Sequence, residues 1–169
     1  MTRVLILSDS HGLTEELVEI KERHTVDYMI HCGDSELEMD APEMERFYMV
    51  GGNTDMDNRF PEELTLTFNG LTFFIAHGHR HNVKGNIMTI AYRAEEENAR
   101  VICFGHTHLA GAEKLGSQLL INPGSIRLPR NRSEKTYAIM EWESSEEIEV
   151  TFYTVSGEVV QDLTYRVSL

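Results

Sequence analysis

Val4-Leu5-Ile6-Leu7-Ser8-Asp9-Ser10-His11 stands near the start of the chain, and its reading sets the architecture. Four consecutive apolar residues leave no polar face. A strand of this kind is buried on both sides, as strands of parallel sheets are. The run then stops in small polar residues that include a carboxylate and an imidazole two positions apart. Leu13, Leu17 and Ile20 follow at helical spacing, which predicts a helix over roughly residues 13–24.

The pattern repeats outward from there. Tyr28-Met29-Ile30-His31-Cys32 reads as a second buried strand and Phe47-Tyr48-Met49-Val50 as a third. Leu64 to Phe68 and Leu71 to Ile75 flank Asn69-Gly70, a strong hairpin signal. Ile87, Ile90, Ala91, Ala94 and Asn98 share one helical face, and Val101 to Phe104 and Gln118 to Ile121 are further strands. From Thr136 to Trp142 the chain is again strand-like. Ile148, Val150, Phe152 and Thr154 then alternate with Glu149, Thr151 and Tyr153, as in a half-buried antiparallel strand. Ser156-Gly157 turns the chain toward a last strand near Val159 to Val167. This order predicts an α/β protein of two packed sheets with helices outside. The tail after Lys135 is expected to build the second sheet and to supply no catalytic group.

With 169 residues and an apolar fraction of 41%, the chain reads as one domain spanning 1–169. No apolar run approaches a membrane span, and the first strand is too short for a signal peptide. Cys32 and Cys103 fall inside apolar strands, so buried free thiols and a reducing cytoplasm are expected. The net charge of −13 argues against a stable nucleic-acid complex, which needs a basic face. It leaves room for a phosphate-bearing substrate if bound cations supply local positive charge.

Chemistry collects where the strands end. Asp9-Ser10-His11, Gly33-Asp34, Gly51-Gly52-Asn53-Thr54-Asp55, His77-Gly78-His79 and Gly105-His106-Thr107-His108 each follow a predicted strand. Carboxyl ends of strands in an α/β sheet line one crevice. If the segments are extended, residues i and i+2 point to the same side, so Asp9 with His11, and His106 with His108, can address one ion. Donors of nitrogen and oxygen without thiolate favour a catalytic divalent ion over a structural zinc site.

Asp9-x-His11, Gly33-Asp34, Gly52-Asn53-x-Asp55, His77 and Gly105-His106-Thr107-His108 resemble, in order, the motifs of the calcineurin-like metallophosphoesterases. The short chain and Asn122-Pro123-Gly124-Ser125 are similar to the small bacterial and archaeal YfcE-type phosphodiesterases. The resemblance implies a four-layer α/β/β/α sandwich of two mixed sheets with flanking helices. It implies two divalent metal ions, Mn2+ first, with Zn2+, Fe2+ or Ni2+ as alternatives. Asp9, His11 and His108 would hold one, Asn53, His77 and His106 the other, and Asp34 would bridge them. The implied reaction is hydrolysis of a small phosphodiester by a hydroxide held between the metals, with Asp34 and Asn53 as catalytic residues, to which His79 is added by its nearness in sequence as a candidate proton donor. A phosphomonoesterase, or a silent scaffold of the same fold like a eukaryotic retromer subunit, is the alternative. A homo-oligomer stays open, and no membrane partner is expected.

One position departs from the wider family. Thr54 follows Asn53 where a leaving-group histidine often stands, and a hydroxyl is far too weak an acid for that role. His79 and His81 are the nearest substitute proton donors. Arg127, Arg130 and Arg132 form a basic stretch that suits a phosphate. His24 and His31 read as ordinary helix-end and strand residues.

Overall fold

Alternation along the first strand divides its side chains between two cores, with Val4 and Ile6 on one face and Leu5 and Leu7 on the other, all fully buried. The computed structural model describes residues 1–169. In chain order its elements are β1 (Thr2–Leu7), α1 (Glu15–Arg23), β2 (Tyr28–His31), β3 (Phe47–Met49), β4 (Glu63–Phe68), β5 (Leu71–Ala76), α2 (Met88–Glu96), β6 (Val101–Cys103), β7 (Gly111–Leu115), β8 (Gln118–Asn122), β9 (Thr136–Ser144), β10 (Glu147–Thr154) and β11 (Tyr165–Val167). They form a six-stranded sheet ordered β11-β10-β9-β1-β2-β3 and a five-stranded sheet ordered β4-β5-β6-β8-β7.

Both sheets are mixed. β1, β2 and β3 run parallel, as do β5, β6 and β8, while β4, β7 and the β9–β11 tail pair antiparallel. Three apolar clusters match the three seams of a four-layer stack. Val4, Ile6 and Ile30 meet Phe73, Ile75 and Val101 between the sheets. Leu17 and Ile20 of α1 cover Leu5, Leu7 and Met29. Ile90, Ala91 and Ala94 of α2 cover Phe74, Ala76 and Ile102. Burying each large aliphatic side chain stabilises by about 1.5–3 kcal/mol, so the apolar runs dictate this layering. Cys32 and Cys103 are buried free thiols in the inter-sheet core. The β4–β5 hairpin turns through Asn69 and Gly70 at φ 44° and 87°, both left-handed as a type I′ turn requires.

Two expectations are corrected, and one strand is added. The tail after Lys135 does not build the second sheet. β9 pairs with β1 over Thr2 to Ile6, so the tail completes the first one. There Tyr137 and Ile139 face α1 while Ala138 and Met140 face the other sheet. The last strand is confined to Tyr165–Val167, preceded by a single bridge at Val159 and a 3-10 turn at Gln161–Leu163. β7 was not foreseen, because its residues Gly-Ala-Glu-Lys-Leu carry no alternating pattern and only its pairing with β8 makes it a strand. No helix is long and apolar enough to cross a membrane.

Candidate metal centre

The loops that follow the parallel strands are laced together by backbone hydrogen bonds. The N–H groups of Asp9, His11 and Gly12 donate to the carbonyls of Gly33, Asp34 and Ser35, binding the loop after β1 to the loop after β2. Asp55 fastens the loop after β3. Its Oδ2 accepts from Asp34 N at 2.9 Å and Gly52 N at 2.7 Å, and its Oδ1 from Glu36 N at 2.8 Å. Asp55 is therefore a brace for Asp34. In the second sheet Gly105 N donates to His77 O. The two sheets are joined at the site when His106 N donates to Asp9 Oδ2 at 3.1 Å. Gly105 and Gly52 permit this crowding, since a Cβ on Gly105 would collide with Ser8 Oγ and Asp9 Oδ2, and one on Gly52 with Asp34 Oδ1.

The segments are not extended, as the i, i+2 reading required. Asp9, His11, Asp34, His106 and His108 have φ of 54°, 43°, 58°, 69° and 60°. Non-glycine residues avoid this left-handed region at a cost of about 1 kcal/mol or more each. Their concentration here means that the surrounding hydrogen bonds enforce tight turns, and those turns aim the side chains.

The side chains converge on one atom. Asp9 is fully buried. Its Oδ2 is occupied by Ser8 Oγ at 2.5 Å and by His106 N. Its Oδ1 faces His77 Nε2 and His108 Nε2 at 3.1 Å each and His11 Nε2 at 3.7 Å. Asp34 is arranged alike, with Oδ1 accepting from Thr54 N at 2.9 Å and Oδ2 facing His77 Nε2 at 3.2 Å. Asp9, His11 and His108 form one group of close donor atoms, and Asp9, Asp34 and His77 a second. Asp9 is the carboxylate common to both, and Asp34 enters through His77. His106 packs its ring against His77 with centroids 5.0 Å apart. Asn53 is exposed on the same loop as Thr54, and its side chain is not among the groups brought together.

The tautomers show that this donor set fits a cation. A carbonyl or carboxylate oxygen only accepts, so His108 Nδ1 donates to Leu128 O at 2.6 Å and His11 Nδ1 to Glu36 Oε2 at 2.5 Å. Each ring, when neutral, then presents a lone pair on Nε2. Those two atoms lie 3.3 Å apart beside the Asp9 carboxylate. Lone pairs so placed repel unless a proton or a metal cation sits among them, and a second N–H bonded to an acceptor is the usual support of a metal-ligating imidazole.

Charge in the cluster follows the same geometry. Burial pushes the Asp9 carboxyl up, but hydrogen bonds from His108, His77 and Ser8 outweigh it and hold the group well below the usual carboxylate range. Burial raises Asp34 too, and His77 and Thr54 bring it down overall. Burial disfavours the His77 cation, yet Asp34 and Asp9 push it up to about 9. Burial and the neighbouring His77 push His106 down to about 4. A cation delivered to these atoms competes with the proton on His77.

The remaining sequence candidates are placed as follows. His79 is half-buried with Nδ1 3.1 Å from His77 Nδ1. His81 is turned away, its Nε2 2.9 Å from Glu63 Oε2 and its ring edge-on to Phe74. Ser125 of the Asn122–Ser125 turn donates to Asp9 O at 2.7 Å, and Arg127 donates to His11 O. Arg130 N donates to His108 O at 3.1 Å, whereas Arg132 pairs with Asp162. His24 lies 2.7 Å from Tyr137 OH. His31 is more than a strand residue. Gly33 N donates to its Nδ1 at 3.1 Å, so its Nε2–H donates to Ser10 Oγ at 2.8 Å, fastening the turns that carry Asp9 and Asp34. Burial pushes His31 down to about 4, so it is neutral. The sequence reading missed Glu36 and His31 as parts of the site. Their only sequence signal is that they lie within three positions of Asp34.

Relatives are found by sequence and by fold. Over 168 residues the chain is 51% identical to the probable metallophosphoesterase YsnB of Bacillus subtilis, covering 98% of this chain and 99% of that one. A conserved Streptococcus pneumoniae protein, described as a predicted phosphoesterase, superposes with a TM-score of 0.95 at 34% identity over 99% of this chain and 98% of that one. YfcE, a phosphoesterase from E. coli, superposes with a TM-score of 0.71 over 99% of both chains, and at 18% identity that likeness is one of fold. The calcineurin-like phosphoesterase superfamily domain matches residues 2–145, which is β1 through β9 and every loop from Asp9 to His108, and by that match the chain belongs to this superfamily.

Proposed function

We propose that the protein is a cytoplasmic, metal-dependent phosphodiesterase acting on a small phosphodiester, without a stable nucleic-acid complex. The observation that carries this reading is the meeting of three imidazole Nε2 atoms on one oxygen of a fully buried carboxylate. Asp9, His11 and His108 would hold one divalent ion, His77, His106 and Asn53 a second, with Asp34 between them and Mn2+ the first candidate. Such ions supply Lewis-acid polarisation of the phosphoryl oxygens and a water of lowered pKa.

The chain's own residues do the rest. Glu36 and Leu128 O fix the tautomers of His11 and His108. Ser8 and His106 N occupy Asp9 Oδ2 and keep Oδ1 turned inward. His79 Nδ1 accepts from His77 Nδ1–H when His77 Nε2 is engaged, which leaves the proton of His79 on its own Nε2. Thr54 binds Asp34 through its N–H and offers no acid. The leaving oxygen therefore departs largely unprotonated, or takes a proton from water or His79.

The test is turnover by metal-stripped protein supplied with single ions, using phosphodiesters and monoesters in parallel. We expect Mn2+ to restore hydrolysis, aryl diesters to outrun alkyl diesters and monoesters, and the rate to fall steeply as leaving-group pKa rises. Hydrolysis of no ester with any ion overturns the reading.

A further inference from the structure

The carboxylate of Glu36 contacts His11 from outside the cluster. Its Oε2 lies 2.5 Å from His11 Nδ1, yet the Glu36 side chain is 40% exposed whereas that of His11 is 12%. The backbone is set for this placement. Glu36 has φ 58°, a left-handed conformation unusual for this residue type, and its N–H is held by Asp55 Oδ1 at 2.8 Å. The result is a fixed negative charge at the mouth, one imidazole ring away from whatever His11 Nε2 holds. Arg127 reaches the same turn from the loop after β8 and donates to His11 O, so one cation stands beside the anion.

We propose that Glu36 is the specificity-determining residue that biases this site toward singly charged phosphate diesters and against doubly charged monoesters. The inference rests on the phosphoesterase reading above and adds the charge class of the substrate. A diester phosphate carries one negative charge, while a monoester carries nearly two at neutral pH. A fixed carboxylate opposes the second charge as well as the first. Across one ring, in partly solvated surroundings, each added charge is opposed by a factor of about five. The same carboxylate keeps His11 Nδ1 protonated, so Glu36 also positions a ligand, and two substitutions separate the roles. Glu36→Gln keeps an acceptor for His11 and removes the charge. Glu36→Ala removes both.

The experiment is calorimetric binding of inorganic phosphate and of dimethyl phosphate to Mn2+-loaded protein at pH 8, with Mn2+ affinity measured alongside. In Glu36→Gln we expect phosphate to tighten relative to dimethyl phosphate by about fivefold at saturating Mn2+, with Mn2+ affinity lowered because the same charge attracts the ion. In Glu36→Ala the ratio should move equally, while Mn2+ affinity falls by about tenfold more than in Glu36→Gln, because the acceptor for His11 is lost as well. Glu38→Gln, the same charge change at a residue paired with Arg59 at 3.5 Å, should leave the ratio within about twofold. An unmoved ratio in Glu36→Gln, with both probes still bound, overturns the proposal alone. Loaded wild-type protein that binds neither probe overturns the phosphoesterase reading and the proposal together.

Discussion

The two sheets end at the same mouth but bring different chemistry to it. Loops of the six-stranded sheet carry the oxygen donors Asp9, Asp34 and Asn53 with a single imidazole, His11. Loops of the five-stranded sheet carry only imidazoles, His77, His79, His106 and His108. Neither half has a complete donor set, so the site exists only when the sheets pack. The contacts Asp9–His77, Asp9–His108 and Asp34–His77 therefore pin the two sheets together through the same atoms that the proposed metal would use. With the proposed metal bound, folding and metal binding would use the same atoms.

Removing the anion of the first sheet should break this relation most severely. Asp9→Ala leaves His77 and His108 facing a void, and loss of one partner of a buried pair costs about 3–5 kcal/mol. Urea unfolding of the metal-free protein should show that loss, and metal-dependent turnover should fall by at least about a hundredfold, more than an outer contact costs. Unchanged stability would mean that the pairs do not hold the sheets.

A pH titration of stability sharpens the same point through His31. Its pKa falls from an unfolded value near 6.5 to about 4 in the fold, so the unfolded chain binds the extra proton. Its contribution is fully present above pH 6.5 and is lost as pH falls toward 4. The loss is about 3 kcal/mol over that window, and His31→Gln should flatten the slope by that much in metal-free protein. A slope equal to wild type would refute the buried neutral imidazole.

A smaller effect should come from the second sheet pressing on the first. Gly105→Ala places a methyl against Ser8 Oγ and Asp9 Oδ2. Metal affinity, read by calorimetry, should weaken by about tenfold to a hundredfold, with the helical and strand content of the circular dichroism spectrum kept. The smallest effect belongs to the tail. Glu141→Ala removes a partly solvated ion pair with Arg3 at 3.1 Å and should cost about 1 kcal/mol. Turnover should stay within about twofold for Glu141→Ala, Glu143→Ala and Asp162→Ala, and a larger loss in folded protein would place a functional group in the tail.

Residues and layers differ in how far the sequence discloses them. The apolar run of β1 disclosed burial on both faces, because a strand without a polar position has only that solution. The order of the clusters from Asp9 to His108 disclosed a common crevice, because strand ends gather. The sheet to which β9 belongs was not disclosed, since Thr136 to Trp142 is buried on both faces and suits either sheet. Nor was the left-handed backbone of Asp9, His11, Asp34, His106 and His108. An Asp-x-His stretch has no intrinsic reason to adopt it.

By itself, then, the sequence determined which residue types end each strand and which strands are buried, for both depend on local pattern and on the cost of leaving apolar surface in water. Only the tertiary structure decided which oxygen of Asp9 faces inward, which nitrogen of His11 and His108 carries the proton, and that Glu36 stands at the mouth. Each of those is fixed by a hydrogen bond between segments far apart in the chain, such as His106 N to Asp9 Oδ2, His108 to Leu128 and Glu36 to His11. No local pattern encodes such a bond, because its geometry is set only when the two sheets close on each other.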